Sequence, residues 1–182
     1  MHKQAGKPVY FVRSQLLFID AVSACEYDKL GQDVTELKDA AVFGEKIDGI
    51  EYCNRTGAYG VVEDRHGRAV IVRIPTGYFL IGGGIEPDED DDDALRREFL
   101  EETGYTIAIK ESIGASSGYY YSEGFAQYMH GSGHFYRVEL LEKAAEPIEK
   151  DHTMVYLEKR ECMSLLKYDY QRWAVVRAFG LE

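Results

Sequence analysis

Residues 82–105 constrain this chain more than any other stretch. They read Gly-Gly-Gly-Ile-Glu-Pro-Asp-Glu, then four aspartates, then Ala-Leu-Arg-Arg-Glu-Phe-Leu-Glu-Glu-Thr-Gly-Tyr. A glycine-rich turn leads into an acidic helix start, and Gly104 suits the left-handed residue that closes a helix. Asp90 is a good N-cap, with Asp93 three residues on as its capping partner. Asp91 and Asp92 fall in the first turn, where negative charge is favoured by about 0.3–1 kcal/mol each. The four aspartates are therefore expected to cap the helix and complement its dipole, not to bind metal.

At about 100° per residue, Glu98, Glu101 and Glu102 fall within one arc of roughly 100°. Three carboxylates held so close repel one another unless a cation sits among them, and hard divalent ions such as Mg²⁺ prefer such oxygen donors. Leu95 and Phe99 form an apolar stripe beside that arc, and Arg97 is within i,i+4 reach of Glu101.

The stretch resembles the Nudix box, G-x5-E-x7-R-E-U-x-E-E-x-G-U with U bulky aliphatic. Gly83, Glu89, Arg97, Glu98, Glu101, Glu102 and Gly104 all fall in register. Phe99 and Tyr105 make both U positions aromatic, and Ile81 stands where the family's Leu-Pro-Gly-Gly run has proline. These departures concern packing and turn stiffness. The resemblance implies a MutT-like hydrolase that cleaves a phosphoanhydride of a nucleoside diphosphate derivative with Mg²⁺ or Mn²⁺. It implies Glu98, Glu101 and Glu102 as metal ligands, with a backbone carbonyl from Gly82 or Gly83. Arg97 orients the carboxylates, and Glu89 pairs with it. For the general base it leaves Glu98, or Glu149 or Asp151 from a later loop.

Substrate choice is weakly written. No proline lies between Pro87 and Pro147, which counts against the ADP-ribose branch. The Ser-Gln-Pro-Trp pattern of the NADH branch is missing. Tyr120 and Tyr121 lie near the tyrosine position of dinucleoside polyphosphate hydrolases and are candidates for stacking on a base. A nucleoside triphosphate substrate, a dinucleoside polyphosphate or nucleotide sugar, and a non-catalytic ligand sensor are the readings open. The full glutamate set argues against the sensor. His134 and His152 are expected to be structural or exposed.

The resemblance implies an α/β (α+β) fold, an α/β/α sandwich on a mixed sheet, over residues 43–182, with the box at 83–105. Strands are expected at 59–62, 69–74, 78–81, 134–141 and 153–157, and helices at 158–166 and 170–179. Residues 131–133 read as a break, and 142–150 as a loop. Residues 1–42 carry no family motif. Strands within 9–22 and a short helix over 35–42 are expected, and an appended element, a homodimer arm and a poorly ordered lead are all open readings.

The net charge of −11 excludes a nucleic-acid polymer as partner by long-range attraction, while a bridging cation would still admit a small nucleotide. Cys25, Cys53 and Cys162 are odd in number and widely spaced, so they form neither a disulfide framework nor a zinc pattern, and a cytoplasmic setting follows. Residues 16–25 resemble a short signal peptide with a lipobox-like end, but Asp20 interrupts the apolar run, so a packed element is expected there. No apolar run is long enough for a membrane span.

Overall fold

The computed structural model describes residues 40–181. The strands read within 9–22, the signal-like stretch and Cys25 lie outside the described residues, as does most of the helix expected over 35–42. That helix would have ended at Val42, but residues 41–43 are extended. They form β1 (Ala41–Phe43), which pairs in parallel with Ser116–Gly118. The boundary expected between residues 42 and 43 thus falls inside a strand of the sheet.

Eight strands form one mixed sheet: β1, β2 (Cys53–Glu63), β3 (Ala69–Ile74), β4 (Gly77–Phe79), β5 (Ile81–Gly84), β6 (Tyr105–Ser122), β7 (Gln127–Lys143) and β8 (Thr153–Leu157). The order is β1-β6-β7-β2-β3-β4, with β5 added to β2 and β8 to β3. The β1–β6 and β2–β7 pairs are parallel, and the others are antiparallel. Among the described residues three helices pack on this sheet: α1 (Asp91–Thr103), α2 (Lys159–Leu165) and α3 (Asp169–Phe179).

Strand alternation sends neighbouring residues to opposite faces and builds two cores. Val61, Ala69, Ile71 and Phe135 pack with Tyr170, Ala174 and Val175 of α3. Ala58, Val62, Val70, Val72 and Val138 pack with Leu95 and Phe99 of α1. The apolar stripe predicted on α1 is therefore fully buried, and its acidic arc is left beside β5. This is the α/β/α sandwich expected.

Two local readings change. The strand expected at 78–81 is split, because Leu80 turns its amide to Gln171 Oε1 (3.0 Å) between β4 and β5. The break expected at 131–133 is absent, and β7 runs straight through. Its glycines make room for rings: a Cβ at Gly131 would meet the Tyr120 hydroxyl at 2.8 Å. Among the described residues no helix is long and apolar enough to cross a membrane.

Candidate active site

The site is built where α1 crosses β5. Asp90 caps the helix as expected, its side chain accepting from the Asp93 amide at 2.9 Å, and Gly104 closes it in the left-handed region. Between these caps the glutamate arc faces Gly82–Gly84. Glu98 lies flat against Gly83, where an added Cβ would meet its Oε1 at 2.5 Å. Glu102 is almost wholly buried, and its Oε2 accepts from the Gly82 amide at 3.1 Å. Glu101 is more open, its side chain 36% exposed against 13% for Glu98.

Arg97 is clamped rather than free. Glu89 takes two of its N–H groups, at 2.6 and 2.9 Å, and Gly84 O accepts a third at 2.9 Å. Its Nη1 donates to Glu98 Oε1 at 2.6 Å and lies 3.5 Å from Glu101 Oε2. The i,i+4 pair suggested by the helix is thus the longest of its contacts. Glu89 also accepts from the Glu86 amide, which ties the loop between β5 and α1 to the same guanidinium. The charge of Arg97 is held on by Glu89, and Arg97 in turn holds Glu89 below the usual carboxylate range.

Electrostatics within the arc favour a cation. Burial and the charge of Glu102 push the Glu98 carboxyl up to about 7, and burial also raises Glu101 and Glu102. A cation placed among these carboxylates would relieve both the desolvation and the repulsion.

The loop between β7 and β8 is docked on the C-terminal end of α1. Glu101 O accepts from the Ile148 and Glu149 amides, and Gly104 O from those of Ala144 and Ala145. This docking brings His152 to Glu102, with Nε2 3.3 Å from Oε1. His152 Nδ1 lies 2.9 Å from Glu149 and 3.2 Å from Asp151. Burial disfavours the imidazolium, but Glu102 and Glu149 outweigh it and raise His152 to about 10. Donor atoms of Glu102, Glu149 and His152 all fall within 4.8 Å of one another. These three residues are a donor set that fits a divalent ion, and of the box glutamates Glu102 is the one within it. His152 is the residue that sequence reasoning missed. No local pattern marks it, because the docked loop, not any spacing, brings it to Glu102.

The remaining candidates are placed as follows. Glu149 lies beside Glu102 as well as His152, and Asp151 pairs with the same ring nitrogen with its side chain 55% exposed. Tyr120 packs in an aromatic cluster with Tyr168 (centroids 4.1 Å apart) and Tyr170, and burial lifts its hydroxyl to about 12. Tyr121 points the other way, half exposed, with its ring edge to Tyr128. His134 and Tyr136 both bond Asp91 Oδ2, at 2.8 and 2.5 Å. They pin the start of α1 to β7, so Asp91 does more than complement the helix dipole.

A sandwich with a glycine loop feeding an acidic helix defines the class. The chain belongs to the NUDIX family, whose domain model matches residues 54–176, and it is a hydrolase of acid anhydrides in phosphorus-containing substrates. The fold is similar to that of a NUDIX hydrolase from Nitrosomonas europaea: TM-score 0.54 and 14% identity, covering 70% of this chain and 89% of that one. It is similar too to the MutT protein from Methanosarcina mazei Go1, with TM-score 0.54 and 16% identity, covering 73% and 99% of the two chains. A C. elegans Ap4A hydrolase gives TM-score 0.53 and 16% identity over 69% and 96%. No curated protein matches the chain in sequence.

Proposed function

We propose that the protein is a Mg²⁺-dependent, MutT-like pyrophosphohydrolase acting on a nucleoside triphosphate or a related nucleoside diphosphate derivative. The observation that carries this reading is the seating of Glu98 and Glu102 against Gly83 and Gly82, with Arg97 locked beside them by Glu89. Glu98, Glu101 and Glu102, with a carbonyl of the glycine run at Gly83, would hold the cation. When bound it offsets charge on the phosphate oxygens. Arg97 keeps Glu98 and Glu101 oriented, and Glu89 keeps Arg97 in place. Water forms a bond to phosphorus as the bridging P–O bond breaks, and a carboxylate takes the proton of the water. Glu98 is the base we favour within the box, because it is seated against the glycine run beside Arg97. Glu149 and Asp151 remain the loop alternatives.

The catalytic unit in this reading is residues 43–182, with 1–42 an extension that carries no catalytic residue and whose Ala41 and Val42 join the sheet through β1. Cys53 and Cys162 are buried thiols, in keeping with a reducing cytoplasm. The net charge of −11 supports a small nucleotide as partner over a polymer.

The test is a panel of nucleoside triphosphates, dinucleoside polyphosphates and nucleotide sugars, with phosphate and pyrophosphate scored separately. Turnover is expected with Mg²⁺ or Mn²⁺ and none with EDTA. Full turnover in chelator overturns the mechanism.

A further inference from the structure

We propose that His152 is a ligand of the cation held by the box glutamates, which makes this a mixed nitrogen–oxygen site suited to Mn²⁺. The inference rests on the function proposed above and extends it to a residue outside the box.

The two ring nitrogens of His152 face different neighbours. Nδ1 faces Glu149 Oε2 at 2.9 Å and Asp151 Oδ1 at 3.2 Å. A carboxylate accepting from Nδ1–H fixes the orientation in which Nε2 faces the site, and a cation binding there would displace the Nε2 proton. This is how histidine ligands are oriented at metal centres. Nε2 faces Glu102 Oε1 at 3.3 Å. Adjacent ligands about 2.1 Å from one octahedral cation lie about 3 Å apart, so this separation suits two donors on one ion.

The ring is also held in place. Its side chain is only 16% exposed. The His152 amide donates to Glu149 O at 3.2 Å, and the Glu149 amide donates to Glu101 O on α1 at 3.3 Å. The imidazole is thus fixed to the helix that carries the glutamates. Among the described residues, His152 is the histidine paired with a box glutamate. His134 pairs instead with Asp91 at the far end of α1.

An imidazole donor favours Mn²⁺ and later transition metals over Mg²⁺, which prefers oxygen. The alternative role for His152 is a positive charge that neutralises buried Glu102. The two roles predict opposite responses. If His152 is a ligand, His152→Gln weakens Mn²⁺ binding by about tenfold or more, with a smaller effect on Mg²⁺. If it is a competing cation, the same change leaves Mn²⁺ affinity unchanged or tightens it.

The experiment is Mn²⁺ titration by EPR and calorimetry on the full chain, with pulsed EPR to detect directly bound nitrogen. Expected are a nitrogen coupling in the wild type, its conversion to the ¹⁵N pattern on ¹⁵N-histidine labelling, and its loss in His152→Gln along with the weaker binding. Absence of nitrogen coupling in the labelled wild type rejects the proposal even if the variant fails to fold, and His134→Gln, which should keep the coupling, assigns it to His152. Tight Mn²⁺ binding without nitrogen coupling overturns the role of His152 and leaves the proposed function standing. No cation binding by the wild type overturns both.

Discussion

Glu98 rests on Gly83 so closely that a methyl group at residue 83 would meet its Oε1 at 2.5 Å and its Cδ at 2.6 Å. The absence of a side chain at 83 is what lets the carboxylate sit over β5. In Gly83→Ala either Glu98 swings away or β5 shifts. A displacement of about 1 Å at a reacting group costs roughly 10² in rate. We expect activity to fall by about that factor or more, with a thermal midpoint close to that of the wild type. A fully active Gly83→Ala enzyme would show that the position of Glu98 does not matter for turnover.

The two faces of α1 separate chemistry from stability. Glu102→Gln keeps the shape of the side chain and removes its charge. Loss of a group that stabilises developing charge costs about 10²–10³ in rate, and the fold should survive. Phe99 is fully buried, set over Gly60 in one core cluster with Val138, so Phe99→Ala should cost about 3–5 kcal/mol. Its folded fraction should still turn over. Denaturant melts and rates measured side by side check both, and an active Glu102→Gln variant would remove the main support for the proposed site.

The raised carboxyl of Glu98 makes a linkage prediction for the cation-free protein. Its value is about 7 in the folded chain against an ordinary 4.5. The folded state therefore binds a proton more tightly than the unfolded one. The stability this adds is fully present below about pH 4.5 and lost as pH rises through about 7. Its size is on the order of 3 kcal/mol, since one pKa unit is about 1.4 kcal/mol. In EDTA, Glu98→Gln should gain on the wild type in thermal midpoint between about pH 5 and about pH 8. A gap that does not change with pH contradicts this account of Glu98.

Glu89 acts on the site through Arg97 and also holds the Glu86 amide of the loop before α1. Glu89→Gln loses the charge that clamps the guanidinium and should let Arg97 relax toward Glu98 and Glu101. Outer-shell changes of this kind cost about 10–100-fold in metal affinity or activity. Calorimetric Mn²⁺ titration of the variant checks this, because a purely structural role would lower the melting point and leave the affinity alone.

Much of the box helix was legible in the chain itself. Its caps at Asp90 and Gly104, its buried Leu95–Phe99 stripe and its acidic arc follow from helical period and local hydrogen bonding, which reach only a few residues. The division of β2 and β3 between two cores was not legible, because their apolar residues run consecutively and only the packed helices show which face each serves. Glycine was read less well. At 131–133 it suggested a break, yet those residues continue β7, because what they accommodate is the ring of Tyr120 on the neighbouring strand.

The amino-acid sequence by itself thus determined one helix, its ends, its two faces and the carboxylates on one of them. Only the tertiary structure decided what those carboxylates meet. The docking of the 144–152 loop on the last turn of α1 brings His152 and Glu149 to Glu102, and the pairing of β7 beside β2 brings His134 and Tyr136 to Asp91. These residues are separated by some 40 to 50 positions along the chain. Their contacts follow from strand pairing and loop closure, which depend on the whole sheet and leave no periodic trace near either partner.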